Sequence, residues 1–178
     1  MDQKELIAGC IRGDRDCQME LFTQYSGKLL AVCARYTRHR MEAEDMVQDA
    51  FIKIFKNLEK FEGKGSFEGW MRRIAINTAL KNYNKNSFKK EKIGLHDYQD
   101  NAIDPEVVAA LHTEELMKVV SGLPDGYRVV FNLYVVEGFS HREIAERLEI
   151  KESTSRSQLV KARKMLQSRI TQIMRILV

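Results

Sequence analysis

The stretch from Phe139 to Gln167, FSHREIAERLEIKESTSRSQLVKARKMLQ, allows few folds. Ser140 stands three residues before Glu143, the spacing of a capping box, in which two side chains satisfy N–H groups that a helix start leaves without intrahelical partners. Ile144, Ala145 and Leu148 then make one apolar stripe on a short helix. Glu149, Ile150 and Lys151 break that period, and Ile150 is placed to plug the space between two helices. Ser153 or Thr154 is expected to cap a second helix. On it, Leu159, Ala162 and Leu166 share one side, and Arg156, Ser157, Val160, Lys161 and Lys164 share the other.

A short helix packed on a longer one with a basic, small-polar outer face is a helix-turn-helix. From Lys151 to Arg175 there are seven Lys/Arg and one acid, Glu152. In a major groove Arg can bond guanine through two N–H groups, Ser can bond either way, and Val can touch a thymine methyl. The pattern alone is also that of a solvated basic helix, because many helix pairs share this spacing.

Charge distribution adds a second basic segment. Arg72 to Lys92 holds seven Lys/Arg against Glu91, while elsewhere acids match or outnumber bases and the net charge is only +4. Two separated basic segments suggest two contacts with one polyanion. The three cysteines, Cys10, Cys17 and Cys33, are an odd number, and the first twenty residues carry charges throughout. No secretory leader and no membrane span is expected, so the chain is placed in the cytoplasm with reduced thiols. Cys10 and Cys17, seven residues apart, are read as buried apolar side chains that could share a helix face.

With two prolines and no clear strand run, the chain reads as all-α. Asp2 and Glu5 open a helix that Gly13 ends, and Asp16–Tyr25 and Gly27–Tyr36 follow, with apolar positions at Met19, Phe22, Leu29, Leu30, Val32 and Cys33. A helix over Glu42–Leu58 comes next, then a loop with two glycines, then a long helix capped by Ser66 and reaching about Asn84. From Lys85 to Ile103 apolar spacing disappears and Asn, Lys, Ser, Gly and Asp dominate, which is linker composition. Asp104-Pro105 restarts order as N-cap and first helical residue. That helix ends at Ser121-Gly122, and another runs from Pro124 to Val136 before Gly138. The expected architecture is two small helical domains, 1–86 and 105–178, joined by a flexible linker over 87–104.

On the Glu42–Leu58 helix, Val47, Ala50, Phe51, Ile54 and Leu58 form a core stripe. Asp45, Asp49, Ile52 and Lys56 form the opposite one. Ile52 is the apolar member of a face that should be wet. Flanked by two carboxylates and Gln48, it has the make-up of a protein-docking patch; a singly exposed Ile is also common. Glu44, Asp45 and Asp49 have neither a His nor the spacing of a calcium loop, so no metal site is expected there.

Phe61, Phe67 and Trp70 surround the glycine-bearing loop, and Arg72, Arg73, Asn77 and Lys81 are interleaved with the apolar positions of the next helix. Aromatics on such a helix are mostly packing. Cations for phosphates beside aromatics for bases are also what single-stranded nucleic acid requires. Gly63-Lys64-Gly65-Ser66 lacks the upstream glycine and the preceding strand of a phosphate loop. His39, His96, His112 and His141 are scattered, and no nucleophile–base spacing or dinucleotide fingerprint is present. No catalytic residue, metal or cofactor is therefore expected.

Taken together these residues resemble a bacterial RNA polymerase sigma factor of the extracytoplasmic-function group. EDMVQDAFIKIF (44–55) looks like that family's segment for docking on core polymerase. Residues 61–78, ending WMRRIAINT, look like its segment for melting and reading the minus-10 element, and 139–167 like its minus-35 reader. The resemblance spans roughly residues 5–84 and 112–170, in the family's order. It implies that Asp45, Gln48, Asp49 and Ile52 meet the clamp helices of the polymerase's largest subunit. It assigns Phe61, Phe67, Arg73, Asn77 and, along the same helix, Lys81 to the unwound non-template strand. It assigns Arg156, Ser157, Val160, Lys161 and Lys164 to the minus-35 duplex. Ser155 stands where the family usually has Val, and Gln158 where it usually has Arg. The implied partners are core RNA polymerase, promoter DNA and an anti-sigma protein, with no membrane insertion. The rival functions are a stand-alone helix-turn-helix regulator, which leaves Ile52 and the 61–77 loop without purpose, and a nuclease using the Glu44–Asp49 acids.

Overall fold

In a computed structural model of the chain, the described residues are 2–87 and 118–177. They divide into two compact units, with the boundary at Ser87. Every regular element among them is helical.

The first unit opens with α1 (Gln3–Ile11), where the Asp2 N–H donates to Glu5 Oε2 at 3.2 Å. Gly13 ends it in the left-handed region, φ 81°, where a residue without Cβ carries no steric cost. The Asp14 carboxylate then accepts from the N–H groups of Asp16 (2.9 Å) and Cys17 (3.2 Å), capping α2 (Arg15–Ala34). Helix α2 is continuous, so the expected break before Gly27 does not occur. Leu21, Leu29, Val32 and Cys33 all bury on one side, and that packing outweighs the roughly 1 kcal/mol that an internal Gly costs. Cys10 and Cys17 lie on different helices rather than on one face. They mark where α1 and α2 approach so closely that a Cβ on Gly9 would collide with Cys17 Sγ.

Helix α3 (Arg40–Asn57) buries Ala43, Met46, Val47, Ala50, Phe51 and Ile54, followed by Leu58 in a 3-10 turn (Leu58–Lys60). Gly63 and Gly65, both at positive φ, carry the loop to Ser66, whose Oγ accepts from the Gly69 N–H at 3.2 Å. Helix α4 (Phe67–Ser87) packs against α2 and α3. Ala75 and Ala79 are fully buried and let the helices approach. Thr78, also buried, donates to the Ile74 carbonyl (2.8 Å) and accepts from Lys53 Nζ (2.9 Å), so its hydroxyl is satisfied.

In the second unit, residues 118–121 are helical and turn at Gly122 into Leu123. The expected linker over 87–104, the Asp104-Pro105 cap and most of the helix after it lie outside the described residues. Pro124 is the N-cap of α5 (Asp125–Phe131), which continues as a single π turn over Asn132–Val136 instead of remaining α-helical to Val136. Arg128, 2% exposed, pairs with Asp125 at 3.0 Å and donates to the Ser121 carbonyl at 3.2 Å. Helix α6 (His141–Leu148) has the expected capping box: the Glu143 N–H reaches Ser140 Oγ at 3.3 Å and the Ser140 N–H reaches Glu143 Oε2 at 2.9 Å. Glu149 ends it at φ 55°. Helix α7 (Glu152–Leu177) begins earlier than expected, so Ser153 and Thr154 sit in its first turn, and the Lys151 carbonyl accepts from the Thr154 and Ser155 N–H groups. Val119, Val120, Leu123, Ala162, Leu166 and Ile170 form one core cluster, while Ile144, Leu148 and Leu159 bury the helix-turn-helix.

Candidate nucleic-acid interface

Helix α7 divides as its sequence indicates. Leu159, Ala162 and Leu166 are buried. Arg156, Ser157 and Val160 are exposed, and Lys161 and Lys164 are half-buried on the same outer side. Arg156 Nη2 pairs with Glu152 Oε1, and Ser157 Oγ donates to the Thr154 carbonyl at 3.0 Å.

One feature of this site has little sequence signal. Ser155 is fully buried, and its Oγ lies 2.9 Å from His141 Nδ1, tying the first turn of α7 to the first residue of α6. The His141 ring stacks on Tyr134 of the π turn at 4.4 Å and 22°. Arg163 lies over the same tyrosine at 6.0 Å. Partial burial pushes the His141 pKa below the usual histidine range, and the Arg156 charge adds to this.

On α4 the exposed residues Arg73, Asn77 and Lys81 follow at i, i+4 and i+8 and form one polar row. Phe61 is half-buried at the end of the loop, 5.0 Å from Phe67 and 5.5 Å from Trp70. Phe67 itself is 2% exposed, enclosed by Phe61, Trp70 and, at right angles, the Tyr25 ring. In the free chain Phe67 is therefore a packing residue of the first unit. Phe61 is left as the accessible aromatic of the expected pair.

On α3 the residues Asp45, Gln48, Asp49 and Ile52 are all exposed, Ile52 at 52%. Met19 (66%) and Phe22 (39%) on α2 are exposed rather than interior, with Phe22 against Phe51 at 4.7 Å. Among the described residues no group of three or more His, Cys, Asp or Glu is arranged to hold a metal ion. None of the described helices is long and apolar enough to cross a membrane. Cys10, Cys17 and Cys33 are buried and form no disulfide, and burial pushes the Cys33 thiol up to about 12 and Cys10 up to about 11.

Two family models match the two units. Sigma-70 region 2 matches residues 21–88, and Sigma-70 region 4 matches 113–166. Together the matches cover more than half of the chain, in the order in which a sigma factor carries them.

The chain belongs to the sigma-70 family, as a sigma factor of the extracytoplasmic-function type.

Its relatives extend over its whole length. The sigma factor is 27% identical to the ECF RNA polymerase sigma-E factor of Haemophilus influenzae, over 98% of each chain. It is 28% identical to that of Escherichia coli, over 96% of this chain and 95% of the other. The RNA polymerase sigma-H factor of Pseudomonas aeruginosa is 27% identical over 97% and 95%. Among solved structures, CnrH in complex with the cytosolic domain of CnrY aligns with a TM-score of 0.48 and 19% identity, over 94% and 96% of the two chains. RpoE in complex with the anti-sigma factor NepR from Bartonella quintana aligns at 0.49 and 18%, over 87% and 96%. The sigma factor directs RNA polymerase to promoters for transcription initiation. A stand-alone regulator would leave the region 2 match over residues 21–88 without a role.

Proposed function

We propose that the sigma factor divides promoter recognition between its two units, with residues 1–86 for docking and the minus-10 element, 105–178 for the minus-35 element and 87–104 as the tether. The observation that carries this reading is that the outward residues of α3, α4 and α7 form three sets, exposed or half-buried, on helices whose other sides are core. Asp45, Gln48, Asp49 and Ile52 dock on core polymerase, with Ile52 as the apolar centre of an acidic rim. Phe61, Arg73, Asn77 and Lys81 hold the unwound strand: the lysine and arginine take phosphates, the phenylalanine stacks, and the Asn77 amide both donates and accepts at a base edge. Arg156, Ser157 and Val160 read bases in the minus-35 major groove, while Lys161 and Lys164 take phosphates.

The sigma factor performs no chemical step of its own. Its work is to shift an equilibrium. Extruding a base costs a few kcal/mol, and aromatic stacking of about 1–3 kcal/mol per base offsets it. The sigma factor acts in the cytoplasm, where polymerase and promoter are. An anti-sigma protein covering these faces is the further partner that membership of this family suggests. Run-off transcription with purified core polymerase on a library of genomic promoter fragments tests the proposal. Discrete transcripts that require the sigma factor support it. Transcription no different from core polymerase alone overturns it.

A further inference from the structure

Glu152 is the single acid between Lys151 and Arg175, a span with seven Lys/Arg. It sits in the first turn of α7 and pairs with Arg156 one turn further on. The side chains of Arg156 and Glu152 stay 63% and 45% exposed, so both face the side from which DNA would approach. A carboxylate there repels the phosphate lattice that the rest of the helix attracts. An ion pair this exposed adds little to stability.

What the pair does is fix a guanidinium. An arginine on a flexible stem beside a duplex is drawn to the nearest phosphate whatever the sequence, because phosphate charge is uniform along the backbone. Glu152 offsets the Arg156 charge and holds its Nη2, and the remaining N–H groups of the fork belong to a side chain that stays 63% exposed. The turn carrying both residues is itself anchored, since buried Ser155 is tied to His141. The neighbouring Arg163 is drawn aside over Tyr134.

We propose that Glu152 is a positioning residue that commits Arg156 to base edges of the minus-35 duplex instead of its phosphates, and so sets specificity at the expense of non-specific affinity. The inference rests on the assignment of Arg156 as a base contact.

The test uses holoenzyme assembled from the full chain and core polymerase, selected on a duplex library randomised over the minus-35 element at two salt concentrations. Glu152→Ala is expected to lower the preference at one minus-35 position by about two- to tenfold, the cost of leaving a rotamer-rich side chain to be ordered on binding. It should also raise affinity for the library average and steepen its salt dependence, as Arg156 takes a phosphate. Glu152→Gln, which keeps an acceptor oxygen without the charge, should fall between. Arg156→Ala should lose the same preference, and the double variant should be no worse than Arg156→Ala. Thermal midpoints of the variants separate the alternative: if Glu152 acts only on the helix dipole, Glu152→Ala lowers the midpoint and leaves base preference alone. Glu152→Ala retaining a preference that Arg156→Ala loses overturns the inference. If Arg156→Ala loses no preference at any position, the assignment of Arg156 fails, and the positioning role with it.

Discussion

Replacing Ile52 tests the docking face, and the exposure of this residue sets the size of the effect. Ile52 is 52% exposed, so about half of its burial energy is unrealised in the free sigma factor. Full burial of an Ile contributes about 1.5–3 kcal/mol, so covering the remainder in a complex contributes about 1 kcal/mol. Ile52→Ala forfeits that, which is about fivefold in Kd for core polymerase. Ile52→Lys forfeits it and also places an ammonium in the contact, at a further cost of about 1–3 kcal/mol. The combined loss is about thirty- to a thousandfold in Kd. Neither change should disturb folding beyond about 0.5 kcal/mol, because the residue faces away from the core stripe of α3. Anisotropy titration of labelled sigma factor with core polymerase measures the loss, and circular dichroism melting checks the fold. Wild-type affinity in Ile52→Lys would rule out this face. A sharply lowered melting point would show that Ile52 contributes to the core.

Three further outcomes are expected. Arg156→Ala should cost about 1–3 kcal/mol and relax one minus-35 position, whereas Lys164→Ala should weaken all sequences alike and reduce the salt slope by about one unit, as read by gel shift of holoenzyme on a base-substitution series. Phe67→Ala should destabilise the first unit by about 3–5 kcal/mol, because it empties an enclosed core site, while Phe61→Ala, half-buried, should cost clearly less; urea melts distinguish them. The His141 pKa is lowered on folding, so the unfolded chain binds more protons in the window below the ordinary histidine pKa. The stability that His141 contributes is therefore present near neutral pH and lost as pH falls through that window. His141→Asn should flatten the acid-side fall in melting temperature, and an unchanged profile would refute the link.

The sequence carried most of this organisation because its clearest signals are local. The Ser140–Glu143 pair and the split wheels of α3 and α7 depend on neighbours within a turn or two, and they reappear as capping bonds and as buried and exposed sides. What was not legible depends on contacts distant in the chain. Phe67 is core because Tyr25, from another helix, packs against it at right angles. Gly27 does not break α2 because residues on both sides of it bury against other elements. Met19 and Phe22 carry the composition of core positions but not the burial, as α2 turns them outward. The π turn at Asn132–Val136 leaves almost no trace in periodicity, and the burial of Ser155 is hidden by its polarity although it lies in line with Leu159, Ala162 and Leu166. The first inserts a residue into a helical turn, with the Glu137 N–H reaching the Asn132 carbonyl at 3.0 Å, and the second uses a small polar side chain where two helices meet.

Permanganate footprinting of the minus-10 element on matched and pre-mismatched templates measures the central claim most directly, because it separates capture of unpaired bases from mere binding. Holoenzyme with the wild-type sigma factor should make minus-10 thymines reactive on the matched duplex, where core polymerase alone does not. Phe61→Ala and Asn77→Ala should bind polymerase and the minus-35 element normally yet lose that reactivity on the matched template. They should regain much of it on the mismatched one, where the unpairing cost of a few kcal/mol has been removed. Equal opening of the matched duplex by wild type and both variants would contradict the account.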